Sequence, residues 1–138
     1  MIARALLLFL TLQSATAAPS RLTTDEQDLR KFQPLVRAAA RASDHRTLLG
    51  LIDLPLRVNE GKRPVRIRYY RTLRSVERDF ARIFPPSILE AMRSGPYETV
   101  GSGKGMIGTG VVWFARPCHA RLCNPEGPGP LRISVINL

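Results

Sequence analysis

Val111-Val112-Trp113-Phe114-Ala115-Arg116 is the stretch on which the fold turns. It is β-branched and aromatic, so it reads as a strand. Its first four residues are apolar at consecutive positions, which suits a strand covered on both faces or lining an internal cavity. Upstream, Tyr97 to Val100 and Met106-Ile107 read as two more strands, joined by glycine-rich turns. Downstream, Pro117 to Pro130 is irregular and holds four prolines. Leu131-Arg132-Ile133-Ser134-Val135-Ile136 then alternates with period two and closes the chain as a strand.

The pattern changes before Gly95-Pro96. Thr23 with Glu26 and Thr24 with Gln27 offer overlapping capping boxes. Leu29, Phe32, Leu35, Val36 and Ala39 follow at helical spacing, and Pro34 is expected to kink or divide that helix. Ser43-Asp44 can cap a short second helix carrying Leu48, Leu49 and Ile52. Leu54-Pro55-Leu56-Arg57-Val58-Asn59 alternates as a strand with an edge-compatible proline, and Val65 to Arg68 alternates after a turn. Tyr69, Leu73, Val76, Phe80, Ile83 and Phe84 share a helical face opposite Arg71, Arg74, Arg78 and Arg82, which predicts one amphipathic helix from Tyr69 to Phe84. Pro85-Pro86 ends it, and a short helix through Ile88, Leu89, Ala91 and Met92 follows. Helices, one strand, helices and then a run of strands predict an α+β domain, its helices against one face of an antiparallel sheet.

The first eighteen residues set the context. Arg4, the apolar run Ala5 to Leu12 and the small residues Ser14-Ala15-Thr16-Ala17 form the three parts of a secretory signal peptide. The apolar run is shorter than the ~20 residues a bilayer span needs. The expected organisation is a signal peptide at 1–17, a lead-in at 18–24 and a single α+β domain at 25–138. The expected location is exported, either periplasmic or secreted. The formal charge of the 138-residue chain is +10, with 18 Arg and 3 Lys. An exported basic protein meets anionic envelope polymers, lipid head groups or acidic proteins, whereas nucleic acid is set aside.

Cys118 and Cys123 are the only cysteines, and in an exported chain they are expected to close a small disulfide loop. Chain entropy gives such a loop on the order of 2 kcal/mol. Metal binding through these cysteines, His119 and His45 lacks zinc spacing, so no metal and no cofactor is expected. Gly103-x-Gly105-x-x-Gly108 matches a dinucleotide fingerprint in letters, but a β-type run follows it rather than a helix. Those glycines read as turns and a sheet bend. The Arg71, Arg74, Arg78 and Arg82 stripe reads as the wet face of its helix or as a polyanion contact. No nucleophile elbow occurs in the sequence and its eleven scattered acids show no evident catalytic pairing, so no catalytic residue is assigned. Tyr69, Tyr97, Trp113 and Phe114 read as core or as the wall of a pocket.

Several phrases together resemble the nuclear transport factor 2-like superfamily, including its SnoaL-like and cystatin-like cone folds. They are Leu48-Leu49-Gly50-Leu51-Ile52, Leu54 to Asn59, Ile83-Phe84-Pro85, Gly105-Met106-Ile107-Gly108, Gly110 to Phe114 and Ile133 to Asn137. More narrowly, the chain looks like small exported bacterial proteins of uncharacterised function that share those phrases. The resemblance covers about residues 28 to 138. It implies a curved sheet wrapped on helices, cone-like with a cavity, and it allows a homodimer through the sheet face. Some members are isomerases, cyclases or dehydratases with an Asp, His or Tyr in the cavity, and others only bind. The leading expectation is a non-enzymatic domain that binds a small ligand or an envelope partner. Tyr97, Trp113 and Phe114 would line the site, with Arg57 as an anion contact. An isomerase-like or cyclase-like enzyme and a protein–protein inhibitor or immunity module are the alternatives.

Overall fold

The first helix starts where the capping chemistry places it. Thr23 Oγ1 accepts the Glu26 N–H at 3.3 Å, and the Glu26 carboxylate accepts the Thr23 N–H at 2.7 Å. The computed structural model describes residues 23–117 and 130–138. The expected signal peptide, most of the lead-in, Cys118, His119 and Cys123 lie outside those residues. Helix α1 (Thr24–Arg41) runs through Pro34 without dividing. Pro34 is exposed, so the carbonyl that loses its partner sits where solvent can serve it. The inward stripe of α1 is Phe32, Val36, Ala39 and Ala40.

Asp44 caps α2 (His45–Gly50), accepting the Thr47 N–H at 3.1 Å and the Thr47 hydroxyl at 2.6 Å. Strands β1 (Ile52–Glu60) and β2 (Arg66–Tyr70) form an antiparallel hairpin. Three short helices follow: α3 (Leu73–Arg78), α4 (Phe80–Ile83) and α5 (Pro86–Ser94). The chain ends in β3 (Tyr97–Gly101), β4 (Lys104–Ile107), β5 (Val112–Ala115) and β6 (Arg132–Asn137).

The six strands make one open, curved sheet in the order β2-β1-β6-β5-β4-β3. Only β1 and β6 are parallel. The fold is therefore α+β, with N-terminal and central helices, as the element order predicts. Leu56, Val58, Tyr70, Ile107, Val112, Phe114, Ile133 and Ile136 come from the sheet into a common core. They meet Phe32, Val36, Leu48, Val76, Phe80, Ile83, Phe84, Ile88 and Met92 from the helices.

Three readings of the sequence need correction. The helix expected over Tyr69–Phe84 is a strand end followed by two helices. Tyr70 pairs with Leu56 in the sheet, and Thr72 Oγ1 starts α3 afresh by accepting the Ser75 N–H at 3.2 Å. The helix then breaks at Asp79, whose carboxylate accepts the Tyr70 hydroxyl at 3.0 Å. Strand β1, expected to tolerate Pro55 as an edge, lies inside the sheet between β2 and β6. A register shift between Ile52 and Arg57 takes Pro55 out of the regular ladder, so its missing N–H leaves no gap. Finally, β5 is not buried alike on both sides. Val112 and Phe114 enter the core, whereas Trp113 is half-buried on the other face.

Two carboxylates tie the helical segments to acid sensitivity. The Thr47 hydroxyl and amide hold Asp44 below its ordinary value of 3.8. The hydrogen bond from Arg78, then that from Tyr70, does the same for Asp79. A carboxylate depressed in the fold contributes stability above its ordinary value and loses it as pH falls through the folded value. Thermal melts should therefore hold from neutral pH to about 4 and drop below that. In an Asp44→Asn/Asp79→Asn variant the drop should be shallower. An unchanged acid profile in that variant would remove the assignment.

Candidate functional site

The face of the sheet turned away from the core carries a transverse row of side chains. The register sets Tyr69 opposite Arg57, Arg57 opposite Val135, Val135 opposite Trp113, and Trp113 opposite Met106. Met106 in turn is opposite the exposed Glu98 of β3. Directly opposite residues on neighbouring strands share a face, so the line runs across all six strands and ends on that acid. Beside it, Ile67 opposes Asn59 and Asn59 opposes Asn137. Tyr69 and Ile67 are about half exposed, at 53% and 51%, although a folded core would normally absorb them.

Hydrogen bonds hold the middle of this face. Arg57 Nε donates to Asn59 Oδ1 at 2.9 Å, and Asn59 Nδ2 donates to Asn137 Oδ1 at 2.7 Å. The Gly110 carbonyl accepts both Asn137 Nδ2 at 2.6 Å and Trp113 Nε1 at 3.1 Å. Arg57 and Trp113 are thus positioned through a common chain of amides. Among the described residues only Nε of Arg57 is engaged, so the terminal N–H groups are free to meet an anionic partner.

The four residues expected to line a pocket therefore separate. Arg57 and Trp113 share the outer row. Phe114, the next residue along, is 1% exposed and packs on Phe32 with ring centroids 5.1 Å apart. Tyr97 pairs with Ile107 on the inner face. Its hydroxyl donates to the Met92 carbonyl at 2.6 Å, and burial pushes it up to about 12. Arg37 stacks over the Tyr97 ring at 5.1 Å.

Neither of two surface cavities includes any of the four. One, of about 520 Å³, is lined by Thr23, Asp25, Glu26, Thr99 and Ser102. A smaller one, of about 150 Å³, lies between Phe32, Leu35, Leu51 and Leu131. His45 stacks on Phe80 at 3.8 Å rather than standing among ligating groups. Among the described residues no group of three His, Cys, Asp or Glu could hold a metal ion. Likewise, no helix among them is long and apolar enough to cross a membrane.

A buried charge cluster had only a faint signal in the sequence. Arg116 continues the inward alternation of Val112 and Phe114, and its side chain is 3% exposed. It meets Asp25 at 2.7 Å and Asp28 at 2.8 Å, both on α1. The i, i+3 spacing of these acids places them on one helical face, which is the signal a reader could have used. The fingerprint-like glycines are structural: Gly103 turns the chain at φ +67°, and Gly105 makes room for the Phe114 ring. No family model, curated protein or solved structure matches this chain.

Proposed function

We propose that this chain is an exported, non-catalytic binding module of the nuclear transport factor 2-like type. Its partner is a protein with an acidic contact surface, docked on the outer face of the sheet. The Tyr69–Arg57–Val135–Trp113–Met106 row carries this reading. Tyr69 and its neighbour Ile67 left half exposed, with Val135, Trp113 and Met106 partly buried, around a pre-positioned arginine are the composition of a protein contact surface. The excess of positive charge favours an acidic partner. The three-part signal at residues 1–17 supports export, and in that setting Cys118 and Cys123 close a disulfide. A ligand buried behind the sheet is less favoured, because Phe32, Phe84 and Phe114 occupy that space as core.

The test compares the full chain with an Arg57→Glu/Met106→Glu variant, each immobilised and exposed to envelope extract. Both residues lie at the sheet surface, and circular dichroism checks that the fold is kept. A protein captured by the full chain should be retained at least about tenfold less by the variant, since interface charge reversal and apolar loss each cost a kcal/mol or more. Equal capture by both would overturn the reading, as would a co-purifying small molecule held equally by both in place of any protein.

A further inference from the structure

We propose that the free edge of β2 takes up an extended acidic segment of the partner as a seventh strand. This rests on the partner-binding reading above and specifies how the contact is made. The sheet has two ends. At one, β3 lies beside α1, and the Gly103 N–H just past β3 donates to Asp25 of that helix at 3.3 Å. At the other, no strand among the described residues pairs with the outward edge of β2. An unpaired edge presents a row of N–H and C=O groups ready for another strand.

The side chains of β2 sort the partner's chemistry. Arg66 and Arg68 fall on one face, and Ile67 and Tyr69 on the other. All four are exposed, and Val65 just before them is 50% exposed. Edges that are merely protected carry charge and little else, whereas this one offers apolar surface as well. Lys62 and Arg63 precede β2 in the chain and Arg71 and Arg74 follow it, all exposed. The hairpin's own acid, Glu60, is already shared between Arg82 at 2.7 Å and Arg68 at 3.7 Å. An incoming strand with Asp or Glu opposite Arg66 and Arg68, and apolar residues opposite Ile67 and Tyr69, complements both faces. A second copy does not: any register that keeps the apolar residues together sets arginine against arginine.

The test uses a labelled, capped peptide of alternating Asp and Val, of about seven residues, the usual strand length. Its binding to the full chain is read by fluorescence anisotropy. Two further peptides are N-methylated, each at one alternate set of backbone nitrogens. A strand adding at an edge bonds through one set only, so one methylated peptide should bind at least about tenfold more weakly and the other like the parent. An Arg66→Glu/Arg68→Glu chain should lose the Asp-Val peptide by about tenfold and gain a Lys-Val peptide instead. Equal binding of both methylated peptides overturns strand addition while leaving the partner reading intact. Absence of parent-peptide binding, or its full displacement by phosphatidylglycerol vesicles, also overturns it. The Arg57→Glu/Met106→Glu comparison, whose residues lie off β2, then decides the partner reading separately.

Discussion

Phe114→Ala is expected to destabilise the domain by about 4 kcal/mol, the middle of the range for removing a fully buried aromatic ring. The ring is 1% exposed and packs against Phe32 of α1. Its neighbours across the sheet are Ile133 on β6 and Gly105 on β4. A Cβ at Gly105 would run into the Phe114 ring and the Glu98 carbonyl, so the ring fills the space beside a bare backbone. Backbone cannot swing into the void as a side chain could, and the cavity left by alanine has no easy route to collapse. Urea unfolding should show a lowered midpoint with an unchanged slope. Trp113→Ala, one residue earlier but on the half-exposed face, should cost under about 2 kcal/mol. If the two cost the same, the division of β5 into a core side and an outer side is wrong.

That pair of residues also shows where the sequence was readable. The strand character of Val111 to Arg116 follows from its β-branched and aromatic residues, and the structure places β5 there. The face of each residue did not follow, because four consecutive apolar residues erase the alternation that marks inside from outside. The same blindness affected Tyr69-Tyr70. Their spacing to Leu73 and Val76 suits a helix, but pairing of Tyr70 with Leu56 outweighs that local pattern. Asp79 then interrupts the helix through a bond from Tyr70, nine residues away, that no periodicity could indicate. Caps were legible because they are local: Thr23 with Glu26 and Asp44 with Thr47 each span three residues. The outer row was half legible. Arg57 and Trp113 attract notice as single residues, but only strand order brings them to one face through Val135. Parallel pairing of β1 with β6, almost eighty residues apart, is a tertiary fact.

Arg116→Met should be the most damaging change outside the apolar core, at about 3 kcal/mol. Breaking a buried ion pair from one side costs roughly 3–5 kcal/mol. The lower end applies because Asp25 and Asp28 keep 19% and 21% exposure, while the arginine keeps 3%. The guanidinium contacts Asp28 through both Nε at 3.1 Å and Nη2 at 2.8 Å, and Asp25 through Nη1. Removing it leaves two carboxylates on one helical face without their shared cation. The cluster also closes the sheet onto α1. The Gly103 N–H donates to Asp25, and the Gly103 carbonyl accepts the Arg116 N–H at 2.9 Å. Lysine should not rescue the site, because a single ammonium cannot reproduce the fork that spans both acids. Adding Asp25→Asn and Asp28→Asn to Arg116→Met should recover much of the loss, since the buried charge then disappears from both sides. Hydrogen exchange should register the single variant first in the opening turns of α1 and at the Gly103 turn, with β1 and β6 spared. A single variant within about 1 kcal/mol of the native chain, or a triple variant worse than the single, would show that this cluster does not fasten the helix to the sheet.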